Sequence, residues 1–218
     1  MQDLEDYIEA HISPEPELLH KIDRHTNLRF VNGRMCSGHL QGRLLTMMTR
    51  MIKPRKVLEI GTFSGYSALS IAEGMDEGEL HTIEIDDELE EFILSNFSSS
   101  PVGKKITLHI GDALGLIPLW KDEEFDLIFI DGDKRNYTRY LDLSLPKLKP
   151  GGFIIADNTL WDGHVVETGK HSSQTKGVME FNDTVATRTD LECVILPVRD
   201  GLSIIRKKSP DPTKEASC

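Results

Sequence analysis

From Lys56 onward the chain alternates short β-like runs with longer segments of helical character, the pattern of a parallel α/β sheet covered by helices on both faces. The first strand is expected over Lys56–Ile60, followed by a glycine-containing turn and a helix over Tyr66–Glu73. Further strands are expected over Glu79–Ile85, Lys105–Ile110 and the apolar run Phe125–Ile130, with helices over Asp87–Phe97, Ala113–Leu119 and Tyr137–Leu145 between and after them. A Pro150-Gly151-Gly152 turn should launch a fifth strand over Phe153–Ala156. A helix over Gly177–Thr187 then leads to two strands, Glu192–Leu196 and Leu202–Ile205, whose spacing predicts an antiparallel hairpin. Residues 1–55 carry no clear strand; they read as a helical lid or interface element, broken at Ser13–Pro16 and near Asn32-Gly33. Residues 56–207 form the α/β body, and the polar tail 208–218, with Pro210 and Pro212, reads as disordered.

At 218 residues the chain suits one larger domain, or a domain with short appendages. No apolar run approaches the roughly 18 residues of a membrane span, and the acidic start is not that of a secretory signal. Cys36, Cys193 and Cys218 are odd in number and widely spaced, which fits reduced thiols in a cytoplasm. With 36 acidic against 25 basic residues and a net charge of −11, the chain does not read as a nucleic-acid binder. Such a chain could instead hold cations.

Gly61 and Gly65, in Glu59-Ile-Gly-Thr-Phe-Ser-Gly65, lie between the first strand and its helix, where backbone N–H groups are free for a negatively charged ligand atom. The Gly-x-x-x-Gly spacing is not that of a dinucleotide site, and Glu59 would repel a diphosphate. A cationic cofactor, S-adenosylmethionine, fits better: its sulfonium and amino groups suit an acid, its carboxylate suits the amides. Glu84, ending the second strand, stands where an acid would bond ribose hydroxyls. Asp131 and the pair Asp157-Asn158 follow the fourth and fifth strands, so the sheet can bring them to one edge. Two carboxylates and an amide oxygen are hard ligands suited to Mg²⁺ or Ca²⁺. Asp131 and Asp157 could alternatively cap the helices that follow them. Lys134 could accept a proton there or stabilise an oxyanion.

These residues carry a resemblance. The stretch from Met35 to Arg206 resembles the cation-dependent class I O-methyltransferases of the caffeoyl-CoA and catechol type, most specifically in Glu59–Ser67, Phe129–Tyr137, Asp157–Trp161 and Leu196–Leu202. The resemblance implies a Rossmann-like, seven-stranded, mostly parallel sheet ending in an antiparallel hairpin, and a homodimer whose N-terminal helices help cover the site. It implies S-adenosylmethionine contacts at Met35, Ser37, Glu59, Gly61, Thr62, Ser67, Glu84, Ala113, Asp131 and Asp133. Asp131, Asp157 and Asn158 match the ligands of a divalent cation, Mg²⁺ foremost and Mn²⁺ or Ca²⁺ next, and Lys134 matches the catalytic lysine. Trp161 and Asp162 are the candidate acceptor contacts, and Asp162 stands where the plant caffeoyl-CoA enzymes usually carry an Asn. His39, His164 and His171 read as ordinary surface or loop residues. The implied reaction is methyl transfer to a small phenolic acceptor. A nicotinamide oxidoreductase should show the pyrophosphate glycine spacing, an N-methyltransferase an Asp/Asn-Pro-Pro-aromatic run after the fourth strand. A non-catalytic S-adenosylmethionine-binding module would not need candidate groups for cofactor, metal and base in one chain.

Overall fold

The computed structural model describes residues 2–31, 33–122 and 124–210, so positions 211–218 of the expected tail, with Cys218, lie outside the described residues. The chain divides into two compact units, Met1–Ala113 and Leu114–Cys218. Among the described residues no helix is long and apolar enough to cross a membrane.

The first unit begins with three helices, α1 (Gln2–His11), α2 (Glu17–Arg29) and α3 (Gly38–Ile52). The Ser13–Pro16 break separates α1 from α2 as expected; Asn32 lies outside the described residues and Gly33 opens a single 3₁₀ turn. Strand β1 (Lys56–Ile60) is followed by α4 (Tyr66–Gly74), β2 (Glu79–Glu84), α5 (Glu90–Ser98) and β3 (Ile106–Ile110). Both ladders are parallel, with Ile60 opposite Ile83 and Glu84 opposite Ile110. Val57, Leu58, Glu59 and Ile60 are all buried, as expected of a strand covered on both faces. Helices α3 and α4 approach closely because the contact surface is small: a Cβ on Gly42 would lie 2.7 Å from Tyr66 Cε1, and one on Gly74 2.6 Å from the Thr46 carbonyl oxygen.

The short helix α6 (Ala113–Leu116) passes into a 3₁₀ turn, so the helix expected over Ala113–Leu119 is only partly α-helical. The second unit continues with β4 (Phe125–Ile130), α7 (Tyr137–Ser144), β5 (Leu148–Asp157), α8 (Ser173–Thr187), β6 (Leu191–Leu196) and β7 (Leu202–Lys207). Strands β4 and β5 are parallel, while β7 is antiparallel to both β5 and β6. The expected hairpin is therefore present, and the strands run in the order β3-β2-β1 in the first unit and β4-β5-β7-β6 in the second.

Two boundaries differ from expectation by four residues or more. Strand β5 starts at Leu148 rather than Phe153, because Leu148 pairs with Phe125 before a register shift and Phe153 resumes with Leu127. The Pro-Gly-Gly segment is thus an irregularity inside the ladder, eased by Gly151 at φ +81°. Helix α8 starts at Ser173 rather than Gly177, because the Ser172 hydroxyl accepts the Thr175 N–H at 3.0 Å and caps it.

Candidate active site

In the first unit the turn after β1 is built around glycines that no other residue can replace without strain. Gly61 has φ +98°, and Gly65 caps the start of α4 at φ +79°. Phe63 between them also takes a left-handed conformation, at φ +49°. A carboxylate fixes this loop to the end of β2. Glu84 Oε2 accepts the N–H groups of Thr62 (3.2 Å) and Phe63 (2.7 Å), and Oε1 accepts those of Ile85 (2.9 Å) and Asp86 (3.0 Å). Both oxygens are thus engaged by backbone amides, so Glu84 anchors the loop to the end of β2. Glu59 is buried in β1, and its Oε2 accepts the Thr82 hydroxyl at 2.5 Å. Thr62 Oγ1 lies 2.6 Å from Thr82 Oγ1; with the Thr82 proton directed at Glu59, the Thr62 hydroxyl is the donor. Loop, strand and acid therefore form one relay. Ser67 and Ala113 are buried, as is Ser37, whereas Met35 is exposed.

In the second unit the ladder aligns Ile130 with Ala156, so Asp131 and Asp157 leave neighbouring parallel strands side by side. The fully buried Tyr137 stitches these strand ends: its hydroxyl donates to the Asp157 carbonyl at 2.9 Å and lies 3.4 Å from that of Ile130. Lys134 is buried, with Nζ 2.7 Å from Asp131 Oδ1 and 5.0 Å from the centre of the Tyr137 ring. Burial by itself would push the Lys134 pKa down; the charge and hydrogen bond of Asp131 outweigh it and hold the ammonium well above the ordinary lysine value. Asp157 is buried, and its Oδ1 accepts the Asn158 N–H at 2.8 Å. The cap of the next turn is Asp133, not Asp131: it accepts the Arg135 N–H at 3.1 Å and pairs with the Arg135 guanidinium. Hydrogen bonding to Arg135 holds the Asp133 carboxyl below its usual range. Among the described residues no group of three or more His, Cys, Asp or Glu side chains is placed to hold a metal. The set that remains is two carboxylates and the Asn158 amide, all hard oxygen donors of the kind Mg²⁺ accepts.

Beyond Asn158 the backbone is unusual. Asn158, Trp161 and Asp162 are left-handed at φ +56°, +48° and +51°, with Gly163 following at φ +80°. Asp200, in the turn between β6 and β7, holds this segment by accepting the Asp162 N–H. Burial raises the Asp200 carboxyl above its ordinary value. The histidines do ordinary work: His39 Nε2 lies 2.8 Å from the Ser13 carbonyl, and His164 pairs with Glu167 at 2.9 Å.

Sequence reasoning passed over Tyr137, Asp200 and Gly177. Tyr137 and Asp200 lie inside segments already singled out, but no single-residue signal marks a tyrosine as a stitch or a turn aspartate as a brace. Gly177 lies mid-helix where α8 crosses the Lys134 turn, and a Cβ there would come 2.3 Å from the Lys134 carbonyl oxygen.

Known proteins resemble this chain over most of its length. A family model described as O-methyltransferase matches residues 9–208. Caffeoyl-CoA O-methyltransferase 1 of Eucalyptus globulus is 33% identical over 214 residues, covering 93% of this chain and 87% of that protein. A catechol O-methyltransferase of Niastella koreensis is 30% identical over 160 residues, 72% of each chain. Among solved structures, an SAH-bound methyltransferase of Podospora anserina superposes with a TM-score of 0.87 at 28% identity over 95% of both chains. The O-methyltransferase TomG of Streptomyces achromogenes, solved in complex with SAM, gives 0.84 at 26% identity over 95% of this chain and 96% of that one. The chain belongs to the O-methyltransferase family.

Proposed function

We propose that this chain transfers a methyl group from S-adenosylmethionine to a phenolic oxygen of a catechol-like or hydroxycinnamoyl-type acceptor, with a divalent cation, Mg²⁺ before Mn²⁺ or Ca²⁺, held by Asp131, Asp157 and Asn158. The observation that carries the reading is the alignment of Ile130 with Ala156, which sets two carboxylates on neighbouring strand ends with the buried Lys134 on one of them. When bound, the donor supplies an electrophilic methyl carbon, and the cation supplies a Lewis acid that eases ionisation of a phenol. In this reading Met35, Ser37, Glu59, Gly61, Thr62, Ser67, Glu84 and Ala113, with Asp131 and Asp133, are the donor contacts that the family resemblance implies. Lys134, an ammonium in its pair with Asp131, stabilises a phenolate oxygen; it can take the phenol's proton only after giving up its own. Trp161 and Asp162 meet the acceptor, on a backbone braced by Asp200. A homodimer working in the cytoplasm completes the reading.

The test is methyl transfer from S-adenosylmethionine to a panel of catechols, flavonoids and hydroxycinnamoyl thioesters, with and without EDTA. Turnover should vanish under chelation and return with Mg²⁺. Asp157→Asn should lose about tenfold or more in cation affinity and rate, while binding S-adenosylhomocysteine like the parent. Turnover indifferent to EDTA would remove the cation from the mechanism.

A further inference from the structure

The Ser13–Pro16 break has so far served only to end a helix. Its position in the first unit gives it a second role. Glu15 stands between two prolines, which fix their own φ and restrict the residue before each, so its backbone is set with little freedom to lose. Its carboxylate reaches across 51 residues to accept the Tyr66 hydroxyl at 2.5 Å, and its other oxygen lies 3.0 Å from His20 Nδ1. Tyr66 is buried, and it is the first residue of α4, directly after Gly65. Burial first, and the Glu15 carboxylate next, raise the Tyr66 pKa, so the proton stays on the phenol and Glu15 accepts.

Two more contacts from the same N-terminal segment reach the same loop. The Phe30 ring meets Phe63 edge-on with centroids 5.7 Å apart, and Cys36 Sγ lies 3.8 Å from Ser64 Oγ. Residues 63 and 64 of the glycine loop and residue 66 at the start of α4 are thus touched by residues 30, 36 and 15 respectively. His39 fastens the near end through the Ser13 carbonyl at 2.8 Å. The loop's opposite side is held by the body of the unit: Asn96 donates to the Ser64 carbonyl at 2.9 Å, and Phe97 blocks any Cβ on Gly65. One clamp is built into the α/β body and the other is carried by a connecting segment.

We propose that the described residues of the 13–37 segment (13–31 and 33–37) form a strap on the glycine loop, with Glu15, Tyr66 and Phe30 as positioning residues, so that docking of the strap and binding of the methyl donor favour each other. The inference rests on the reading that this loop holds the donor. The loop adopts a left-handed backbone at Phe63 and Gly65, and its usefulness depends on its amides staying in place. A ligand and a strap that stabilise the same loop conformation must be coupled, and the coupling is reciprocal.

The test uses the full chain and S-adenosylhomocysteine as probe. Calorimetric titration is run on the parent, Tyr66→Phe, Glu15→Gln and the double variant, with amide hydrogen exchange followed over residues 13–37. Each single variant should bind about three- to tenfold more weakly, the range of one lost buried hydrogen bond. The double variant should be no worse than the weaker single one. The probe should slow exchange of 13–37 in the parent and do so much less in Tyr66→Phe. A purely structural bond would instead lower stability alike with and without probe, leaving affinity and the ligand-induced protection untouched, and that result overturns the strap. If the parent itself fails to bind the probe, the donor reading falls and the strap with it; parental binding with unchanged variants removes the strap alone.

Discussion

Replacing Gly65 with alanine would strike the loop at its tightest point. At φ +79° an alanine takes a left-handed conformation that costs about 1–2 kcal/mol. The added Cβ would lie 2.5 Å from Phe97 Cε1, so the ring must retreat by roughly 1 Å to regain ordinary contact. Phe97 is only 5% exposed and has little room to retreat; overpacking of this kind costs about 1–3 kcal/mol. The two costs together come to about 2–5 kcal/mol, a fall in Tm of roughly 5–15 °C for a chain of this length. Thermal unfolding followed by circular dichroism measures it, and titration with S-adenosylhomocysteine should show weaker binding in the same variant. Gly115→Ala is the control: Gly115 is helical and a Cβ there meets nothing within 4 Å, so stability should hold or rise by up to about 1 kcal/mol. If Gly65→Ala melts within about 1 °C of the parent and binds the probe equally well, the description of the loop as sterically committed is wrong.

Tyr137→Phe should cost about 1 kcal/mol in urea unfolding through loss of the bond to the Asp157 carbonyl, and should weaken Mn²⁺ binding measured by electron paramagnetic resonance. Unchanged values in both assays would show that the strand ends need no stitch. His81 Nδ1 and His109 Nε2 are 3.0 Å apart, and burial, then the His81 charge, depress the His109 pKa. A depressed folded pKa leaves stability intact above the unfolded value of about 6.5 and erodes it as pH falls from there through the folded value, by at most ~1.4 kcal/mol per pH unit. Urea midpoints across that window should drop on acidification and drop less in His109→Asn; identical slopes would exclude the pair as the cause. Burial first, and the charge of Asp23 next, push the Cys36 thiol up to about 12. Native alkylation near about pH 8 should therefore mark the exposed Cys193 and reach Cys36 only after denaturation, as read by peptide mass mapping.

Much of this fold is written locally in the chain. Strand β1 is bounded by Pro54-Arg55 and by Gly61, and β4 is an apolar run that only a doubly covered strand accommodates, so both strands fall at their expected limits. The Pro-Gly-Gly of β5 was legible as turn chemistry but not as a ladder irregularity, because pairing of Leu148 with Phe125 is a property of the partner strand. The same division runs through the site. Asp131, Asp157 and Asn158 were legible as strand-end residues: Asp131 follows β4, and Asp157 closes β5 just before Asn158. Glu84 declared an acid at a strand end, yet its four amide partners come from two turns whose approach no local pattern encodes. Glu15 and Tyr66, 51 residues apart, carried no signal of each other at all.

The left-handed run at Asn158, Trp161, Asp162 and Gly163 sets limits on how this chain can diversify. Asparagine, aspartate and glycine tolerate that conformation, whereas β-branched residues resist it strongly. Exchanges at positions 158, 162 and 163 therefore draw on a small alphabet, and any lineage of variants selected for a new acceptor will inherit the same backbone path. Mutational libraries aimed at acceptor choice should hold Asn158 and Gly163 fixed, restrict position 162 to Asp, Asn or Gly, and place their diversity in the flanking residues whose backbones are unconstrained.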